Sequence, residues 1–302
     1  MSKKIVITGA TGLIGRKLSN EFIKEGNQVT VVSRSIDKAR KIIPDAYNYI
    51  EWDYKKEPAD FVNGNDIIIH LMGENIMAKR WSDDHKKNVF ESRVDSTYAL
   101  VKAISNAEDK PSAFIHSSAI GFYGIGNFEA DENTIKGNGF LADVVDAWEK
   151  EAEKVEKENV RRVSVRLGIV LDKNDGALKR MILPFRLFIG GPLGSGKQWF
   201  PWISIDDVVR IFKFIIENEK ISGPVNAVSP GVVSMKEFAS SLGNVLKRPA
   251  LIRVPEFILK LILGEAAEAL IYGVKVKSKK LGENRFEYND VSISEALKKI
   301  MD

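Results

Sequence analysis

The chain has 302 residues, enough to bury a large core as one big domain or as two unequal ones. With 44% hydrophobic and 28% charged residues, it has the composition of an ordinary globular protein. Its 45 basic and 41 acidic residues leave a formal charge of +4, too small and too dispersed to predict a nucleic-acid partner. Because cysteine is absent, disulfides, thiolate metal sites and a cysteine nucleophile are excluded.

The N-terminus and the hydropathy pattern bear on location. The opening residues MSKKIVITGA pass directly into a strand pattern and lack the apolar stretch of a signal peptide. No run of about 18 apolar residues occurs, so no membrane span is expected. The three histidines show no metal-ligand spacing. We therefore expect a cytoplasmic protein without a metal, and neither nucleic acid nor a membrane as its partner.

The first half of the chain alternates short apolar runs with amphipathic segments. The apolar runs predict strands over 3–10, 27–35, 66–73, 113–121 and 161–171. Helical periodicity predicts helices over 15–26, 82–107 and 139–160, the second capped by Ser82. This alternation predicts an α/β fold, a Rossmann-type doubly wound parallel sheet.

The pattern changes after residue 172, where glycine, proline and aromatic residues become frequent. Helices are predicted over 206–219, 234–248 and 255–273, starting at Asp206, Ser234 and Pro255, and a strand and turn over 223–231. We therefore predict a Rossmann domain over 1–171. Residues 172–302 are predicted to form a smaller C-terminal α/β cap with a helical end, which does not fold independently.

A phosphate-loop spacing occurs at GPLGSGKQW, where Gly191, Gly196 and Lys197 match G-x-x-x-x-G-K. The motif needs a Ser or Thr after the lysine to ligate magnesium, and Gln198 stands there instead. The following QWFPWIS contains a proline and three aromatics, which do not open a helix cleanly. The pattern therefore favours a glycine-rich loop over a nucleoside triphosphatase site.

A second glycine pattern, VITGATGLIG at 6–15, lies between the first predicted strand and a helix. There the first glycine permits the tight turn, the second lets backbone amides approach a pyrophosphate, and the third allows close packing. The alternative is a plain turn between a strand and a helix. The predicted cofactor contacts of this turn are Gly9, Thr11, Gly12, Leu13, Ile14 and Gly15.

The end of the second strand indicates which dinucleotide binds. An acidic residue there would bind the adenosine ribose diol, whereas an arginine accommodates a 2′-phosphate. The chain has Ser33 and Arg34, with no carboxylate before Asp37. This favours NADP(H) over NAD(H), unless Arg34 is only a surface residue.

Several motifs together resemble the extended, or atypical, short-chain dehydrogenase/reductase superfamily: TGATGLIG, VVSRS, HLMGENI, SSAIGFYG and FPWISIDDVV. More narrowly, GGPLGSGKQWFPWI and the LKRPALIRVPEFILKLILGE tail resemble the nucleoside-diphosphate-sugar epimerase-like family that carries its own C-terminal domain. The resemblance runs from end to end. Members are mostly known as NADP(H)-binding proteins of undefined activity, some labelled cell-division inhibitors.

The resemblance implies further cofactor contacts, each with a structural alternative. Leu71, Met72 and Gly73 would lie beneath the adenosine half, and Val170 beside the nicotinamide. Asp53 would touch the adenine or serve as a turn residue. Asn88 and Arg93 would reach the cofactor from the 82–107 helix or lie on its surface.

The usual catalytic dyad of the superfamily is a tyrosine with a lysine four residues later, where the lysine lowers the tyrosine pKa. Tyr98 and Lys102 have this spacing but precede the serine motif, which indicates coincidence. The 139–150 segment has Phe140 and Leu141 where the tyrosine is expected. The substitutes are Tyr123 as a proton donor and Ser118 beside it, unless they only pack or bond within the turn.

By resemblance, the 190–203 loop closes over the substrate in sugar-nucleotide epimerases. Lys197 and Gln198 would bind a phosphate or carboxylate, and Trp199 and Trp202 would stack on a ring. Core packing is the alternative for the two tryptophans.

These observations leave two functions open. One is an NADP(H)-dependent oxidoreductase or epimerase-like enzyme acting on a small polar, perhaps sugar-nucleotide, substrate. The other is a non-catalytic NADP(H)-binding or redox-sensing protein, favoured by the missing dyad. The 82–107 and 139–160 helices resemble those that pair in related dimers, which implies a homodimer.

Overall fold

A computed structural model describes residues 2–56 and 61–302. The strands are β1 (Lys4–Thr8), β2 (Gln28–Ser33), β3 (Asn48–Glu51), β4 (Ile67–His70), β5 (Ala113–Ala119), β6 (Glu129–Ala130), β7 (Arg161–Leu167), β8 (Ile169–Leu171), β9 (Trp199–Phe200), β10 (Trp202–Ser204), β11 (Gly223–Ala227), β12 (Val233–Ser234) and β13 (Lys275–Val276). The α-helices are α1 (Leu13–Lys24), α2 (Ile36–Ile42), α3 (Asp83–Asn106), α4 (Phe140–Glu153), α5 (Gly176–Arg186), α6 (Ile205–Glu217), α7 (Met235–Leu246), α8 (Glu256–Leu263), α9 (Glu268–Ile271), α10 (Lys279–Glu283) and α11 (Ile293–Met301). Three 3₁₀ turns are Ile120–Tyr123, Lys154–Glu158 and Gly264–Ala267.

The main sheet has seven parallel strands in the order β11-β7-β5-β4-β1-β2-β3. The chain winds outward from β1 through β2 to β3, and then returns to the other side of β1 at β4. A crevice therefore opens at the carboxyl ends of β1 and β4, where ligands bind in sheets of this type. The order confirms the predicted Rossmann-type doubly wound sheet.

The two faces of the sheet are buried under different helices. Along β1, Ile5 and Ile7 belong to the core shared with α1 and α6, whereas Val6 belongs to the core on the opposite face under α3. Successive side chains of a strand point to opposite faces, so a strand covered on both sides is apolar throughout. This is why β1 and β4 read as continuous apolar runs.

The residues after 172 contribute to the main sheet as well as to the cap. β11 pairs with β7 along its whole length, and α6 packs on the same face as α1. The remaining cap has a core of its own between α5, α7 and α11, centred on Trp202 and Phe238. The boundary at residue 171 stays a prediction, and the sheet itself draws on both parts.

Local signals fixed some helix starts and missed others. Ser82 caps α3 and Ser234 caps α7 with a capping box to Glu237, both as predicted. The predicted cap at Asp206 is wrong, because the side chain of Ser204 accepts the hydrogen bond from the Asp207 amide at 3.2 Å. The predicted 255–273 helix is interrupted at Gly264, whose φ is +62°.

A polar layer lies beneath α3 and α4. His70 is fully buried between Thr8 Oγ1, 2.7 Å from Nδ1, and Ser96 Oγ, 3.1 Å from Nε2. His116 is likewise buried, with Nε2 2.7 Å from Ser164 Oγ. Burial lowers the pKa of each imidazole to about 3, so both are neutral at physiological pH.

Two neighbouring aspartates at the start of α6 should differ sharply in their contribution to stability. Asp207 is fully buried and accepts hydrogen bonds from the Asn289 and Asp290 amides at 3.0 Å each. Asp207→Ala leaves these amides without an acceptor and should lower the free energy of unfolding by about 2–4 kcal/mol in urea denaturation. The matched variant Asp206→Ala loses only an exposed ion pair with Lys299, and its cost should stay below about 1 kcal/mol.

The buried histidines should make stability fall in mild acid. Because their pKa values are lowered in the folded chain, only the unfolded chain takes up these protons below about pH 6.5. The two histidines therefore do not reduce the free energy of unfolding above that pH. Between about pH 7 and about pH 5 they should lower it by about 4 kcal/mol. His70→Asn should remove about half of this dependence in urea melts at the two pH values. An unchanged pH dependence in that variant would contradict the assignment.

Candidate functional site

The glycine turn between β1 and α1 brings backbone segments into close approach. Gly9 has a φ of +67°, and a Cβ there would lie 2.8 Å from the Leu71 carbonyl carbon and oxygen. A Cβ on Gly15 would lie 2.5 Å from the Gly9 carbonyl oxygen. Side chains at both positions are therefore excluded, and the turn sits directly against the chain that leaves β4.

The start of α1 is arranged to receive an anion. Its N-cap is Gly12, and among the described residues no side chain caps it and no acidic residue lies in its first turn. The amide of Gly12 donates to the Gly9 carbonyl at 3.0 Å, which closes the turn. The following amides, at Leu13 and Ile14, point along the helix axis toward the crevice, where a pyrophosphate binds in such folds. Half-buried Thr11 lies in the same turn.

Three predicted contacts lie at the ends of the next two strands, β2 and β3. Ser33 ends β2, and its hydroxyl accepts a hydrogen bond from the Ser35 amide at 3.3 Å. Arg34 is exposed and has no ion pair within residues 2–56 and 61–302. Asp53 follows β3 and accepts a hydrogen bond from the Lys55 amide at 3.1 Å. This contact is the one expected of a turn residue, the alternative to a contact with adenine.

Arg93 lies next to the chain that follows β4. A Cβ on Gly73 would lie 3.0 Å from the Arg93 Cζ, so the guanidinium is packed against Gly73, the last residue of the predicted Leu71, Met72 and Gly73 contact segment. Burial lowers the pKa of Arg93 to about 10, which still leaves it charged at neutral pH. Its one hydrogen bond in the described chain goes to the Val89 carbonyl at 3.1 Å, and it has no ion pair there. Asn88, by contrast, is exposed on α3 and is not brought to Arg93.

The start of α5, which the sequence did not predict, packs against the start of α1. Asp175 caps α5 and pairs with Arg16 of α1 at 2.9 Å. A Cβ on Gly176 would lie 3.4 Å from Leu13 and 3.8 Å from the Val170 carbonyl oxygen. Val170 is therefore held close to the glycine turn.

A buried ion pair lies where β5, β7 and α4 meet. Arg166 on β7 donates to both carboxylate oxygens of Glu149, Nε to Oε1 at 2.8 Å and Nη2 to Oε2 at 2.7 Å. Ser118 donates to Glu149 Oε1 at 2.5 Å, and Arg166 Nη1 donates to the Tyr123 hydroxyl at 3.0 Å. The Tyr123 hydroxyl donates in turn to Asn226 Oδ1 at 2.7 Å. The basic residues at 161, 162 and 166 of this largely buried strand were the available sequence signal.

This network bears on the two predicted catalytic residues. Tyr123 is fully buried, and burial raises the pKa of its hydroxyl to about 12, so it is protonated at neutral pH. Its hydroxyl has one donor and one acceptor partner already, and Ser118 is committed to Glu149. The geometry thus gives both residues a structural role. Their catalytic roles stay predictions without support from this arrangement.

The predicted substrate loop is only partly open. Trp202 is fully buried in the cap core and donates to the Gly231 carbonyl at 2.8 Å, which matches the core-packing alternative. Gln198 is buried and donates to the Leu193 and Leu270 carbonyls at 2.9 Å each. Exposed Lys197 and half-buried Trp199 remain available to a ligand. β9 follows the glycine loop, which agrees with the rejection of a phosphate loop.

Trp199 lies in a small aromatic and basic cluster. Its indole Nε1 donates to Asn127 Oδ1 at 3.1 Å, and the Lys275 ammonium lies 4.8 Å from the ring centroid. A Cβ on Gly273 would lie 2.1 Å from the Trp199 carbonyl oxygen, so Tyr272 runs beside it. The cluster therefore joins the cap to the chain that follows β5.

Residues 74–86, which we call the strap, connect the crevice to the cap. The Met77 carbonyl accepts from Arg180 Nη1 of α5 at 2.9 Å, and Lys86 pairs with Glu265 after α8. Trp81 packs edge-on against Phe140 at 5.2 Å, so the position expected to hold the catalytic tyrosine carries an apolar contact instead. In the described chain no group of acidic or histidine side chains is arranged to hold a metal, and no helix there is long and apolar enough to cross a bilayer.

Comparison with protein families gives two matches along the chain. Residues 5–227 match the NAD dependent epimerase/dehydratase family. Residues 254–300 match a domain of unknown function, DUF1731. The first match ends at the last residue of β11, and the second covers α8 to α11.

Comparison with whole relatives and with solved structures agrees with the first of these matches. The chain is 38% identical over 98% of its length to the chloroplastic epimerase family protein SDR39U1 homolog of Arabidopsis thaliana, covering 86% of that protein. It is similar to the crystal structure of the human epimerase family protein SDR39U1 with NADPH, with 33% identity, a TM-score of 0.89 and 98% of each chain covered. UDP-glucuronic acid 4-epimerase from Bacillus cereus in complex with NAD shares the fold at 18% identity, with a TM-score of 0.79. The match covers 98% of this chain and 94% of that chain.

Removing the Tyr123 hydroxyl should reveal which role it has. Tyr123→Phe leaves buried Arg166 Nη1 and Asn226 Oδ1 without a partner and should lower the free energy of unfolding by about 1–3 kcal/mol. Dinucleotide affinity should not change, because the hydroxyl is not exposed to the crevice. Tyr98→Phe, at a tyrosine on the surface of α3, is the control and should leave stability within about 0.5 kcal/mol. A stable Tyr123→Phe protein would contradict the structural role.

Proposed function

Because the chain belongs to the NAD dependent epimerase/dehydratase family, we propose that it is an NADP(H)-dependent oxidoreductase or epimerase-like enzyme. The observation that carries the proposal is the exposed Arg34 directly after β2, which has no ion pair within residues 2–56 and 61–302 and follows a strand without a carboxylate. A guanidinium in this position suits the charge of a 2′-phosphate, and it has no acceptor for the hydroxyl protons of a ribose diol. The NADPH in the human relative is consistent with this choice.

The residues of the crevice fit such a cofactor. A Cβ on Gly12 would meet only the Gly9 carbonyl oxygen, at 3.3 Å, so this side of the turn is open and a pyrophosphate can approach the amides of α1. Ser33 and Arg34 would hold the adenosine 2′-phosphate. Arg93, a charge without an ion pair in the described chain, would face the cofactor from beside Gly73. When bound, the nicotinamide supplies a hydride donor or acceptor.

The substrate we propose is small and polar, and a sugar nucleotide is one candidate. Lys197 and the Trp199 cluster offer a cation and an aromatic face on the cap side. Gln198 and Trp202 have no role in this proposal, because internal contacts hold both. The cytoplasmic location and the homodimer stay predictions.

A non-catalytic NADP(H)-binding or redox-sensing protein is the second candidate. It is favoured by the environment of Tyr123, which is buried and protonated, and by Phe140, which packs on the strap. Neither side chain offers a proton to a bound substrate in this arrangement. The strap nevertheless links the chain after β4 to α5 of the cap, and a bare sensor has little need of a cap.

Cofactor choice can be measured by quenching of the five tryptophans on titration with NADPH and NADH. We expect NADPH to bind more tightly, and Arg34→Ala to weaken NADPH by about 10- to 100-fold with little effect on NADH. Arg40→Ala is the matched control, because that exposed arginine stacks on Tyr49 instead. Equal binding of both dinucleotides by the unmodified protein would refute the role of Arg34.

Hydride exchange separates the two functions. Protein loaded with NADPH deuterated at the nicotinamide should transfer label to a member of a panel of sugar nucleotides and small carbonyl compounds. Label that stays on the cofactor throughout the panel, together with a change of oligomeric state on binding, would support the sensor.

A further inference from the structure

The surface of the cap exposes an unusual concentration of large apolar side chains. Of the seventeen large hydrophobic residues that are exposed in the described chain, nine lie within residues 183–262, each at least 50% exposed. They are Leu183, Leu187, Phe188, Ile189, Leu251, Ile252, Phe257, Leu261 and Ile262. We call this set the apolar patch. Exposed apolar groups this close together mark an interaction surface.

Contacts join the two chain segments that carry the patch. The Ile252 amide donates to the Gly190 carbonyl at 3.2 Å, and the Val254 amide to the Pro192 carbonyl at 3.0 Å. The segment after α5 therefore runs beside 251–254, and α8 begins directly after it. Arg248 lies 4.5 Å from the Phe188 ring centroid, which places the end of α7 at the same surface.

The helix α8 is apolar over most of its surface, and most of that surface is not covered. Its sequence EFILKLIL is apolar at six of eight positions, yet Leu259 is its only buried residue. A helix that is apolar all round is normally enclosed by protein or lipid. α8 therefore presents Phe257, Leu261 and Ile262 to its surroundings at a cost in hydration that the fold does not recover.

The backbone holds Phe188 in place against its preference. Phe188 has a φ of +61°, and the Ile189 amide donates to the Pro184 carbonyl at 3.0 Å, which closes α5 in the left-handed manner that favours glycine. A large exposed ring at this position is strained and unfavourably hydrated. Strain at an exposed position points to a function for the side chain.

The charge around the patch selects its partner. Residues 179–189 and 247–262 contain seven basic residues and one acidic residue, a formal charge of +6, whereas the whole chain carries +4. The rest of the chain is thus slightly acidic. A second copy seated on this patch about a two-fold axis would bring like charges together, which opposes self-association.

Apolar side chains with a border of lysine and arginine are the pattern of proteins that bind at a lipid surface. The leucine, isoleucine and phenylalanine groups enter the boundary between headgroups and acyl chains, and the basic groups pair with lipid phosphates. We propose that the apolar patch docks this protein on an anionic membrane surface, without spanning it. The sequence predicts no membrane partner because it lacks a spanning run, whereas docking on a membrane surface requires no such run.

The test is cosedimentation of the full chain with phosphatidylcholine vesicles and with equimolar phosphatidylcholine and phosphatidylglycerol vesicles. We expect binding to the anionic vesicles that weakens as salt screens the basic groups. Leu251→Ser with Phe257→Ser should weaken it by at least about tenfold. Arg186→Glu with Lys260→Glu should do the same through charge.

Matched controls separate the patch from general stickiness and from misfolding. Ile135→Ser changes an 85% exposed isoleucine elsewhere, as Leu251→Ser changes an 84% exposed leucine in the patch, and should leave binding unchanged. Lys220→Glu with Lys298→Glu makes the same change in net charge outside the patch. All variants should keep the thermal midpoint and the NADPH affinity of the parent.

Three results would overturn the proposal. The first is no binding to anionic vesicles, or equal binding to neutral ones. The second is an equal loss of binding in the patch variants and their controls. The third is a dimer in analytical ultracentrifugation that the patch variants abolish, which would assign the surface to a second copy.

Discussion

The buried ion pair between Glu149 and Arg166 is the interaction on which the arrangement of this molecule depends. Two charges removed from water are costly unless every remaining donor and acceptor is satisfied. Here the carboxylate receives two bonds from the guanidinium and one from Ser118, and the third guanidinium nitrogen reaches Tyr123. Because Tyr123 continues to Asn226, one polar chain ties α4 to β5, β7 and β11. Breaking it anywhere would leave a charge or dipole stranded in the core.

The ion pair also explains why this crevice differs from an ordinary reductase site. Tyrosine catalysis needs an exposed hydroxyl beside the nicotinamide and a lysine that lowers its pKa. In this chain Tyr123, which follows β5, is held by a hydrogen bond from Arg166. Phe140, in the first turn of α4, packs on Trp81 of the strap. The glycine turn and the uncapped start of α1 are not part of this network, so the proposed dinucleotide site does not depend on Tyr123.

The parts predictable from the sequence are those governed by neighbours along the chain. The glycine turn, the apolar strands and the caps at Ser82 and Ser234 each depend on a few adjacent residues, and the structure has them as predicted. Other features depend on distant partners. The residues next to Asp207 do not predict that it accepts hydrogen bonds from the amides of residues 289 and 290. The strand sequence RRVSVRL likewise does not predict that Arg166 pairs with Glu149. Trp202 and Gln198 look like binding residues because burial by the cap cannot be read locally. The sequence did not predict α5, because Gly176 at its first position and Pro184 inside it weaken the helical pattern.

The position of β11 has a consequence for how the chain is made. This outermost strand comes from residues 223–227, although its neighbour β7 ends at residue 167. During synthesis at roughly 5–20 residues per second, β7 must wait several seconds as an open edge before its partner leaves the ribosome. Open edges recruit foreign strands, and inward-pointing charge is a known protection. Arg162 and Arg166 give β7 that protection, so the charges that anchor the finished core also guard the nascent chain against aggregation.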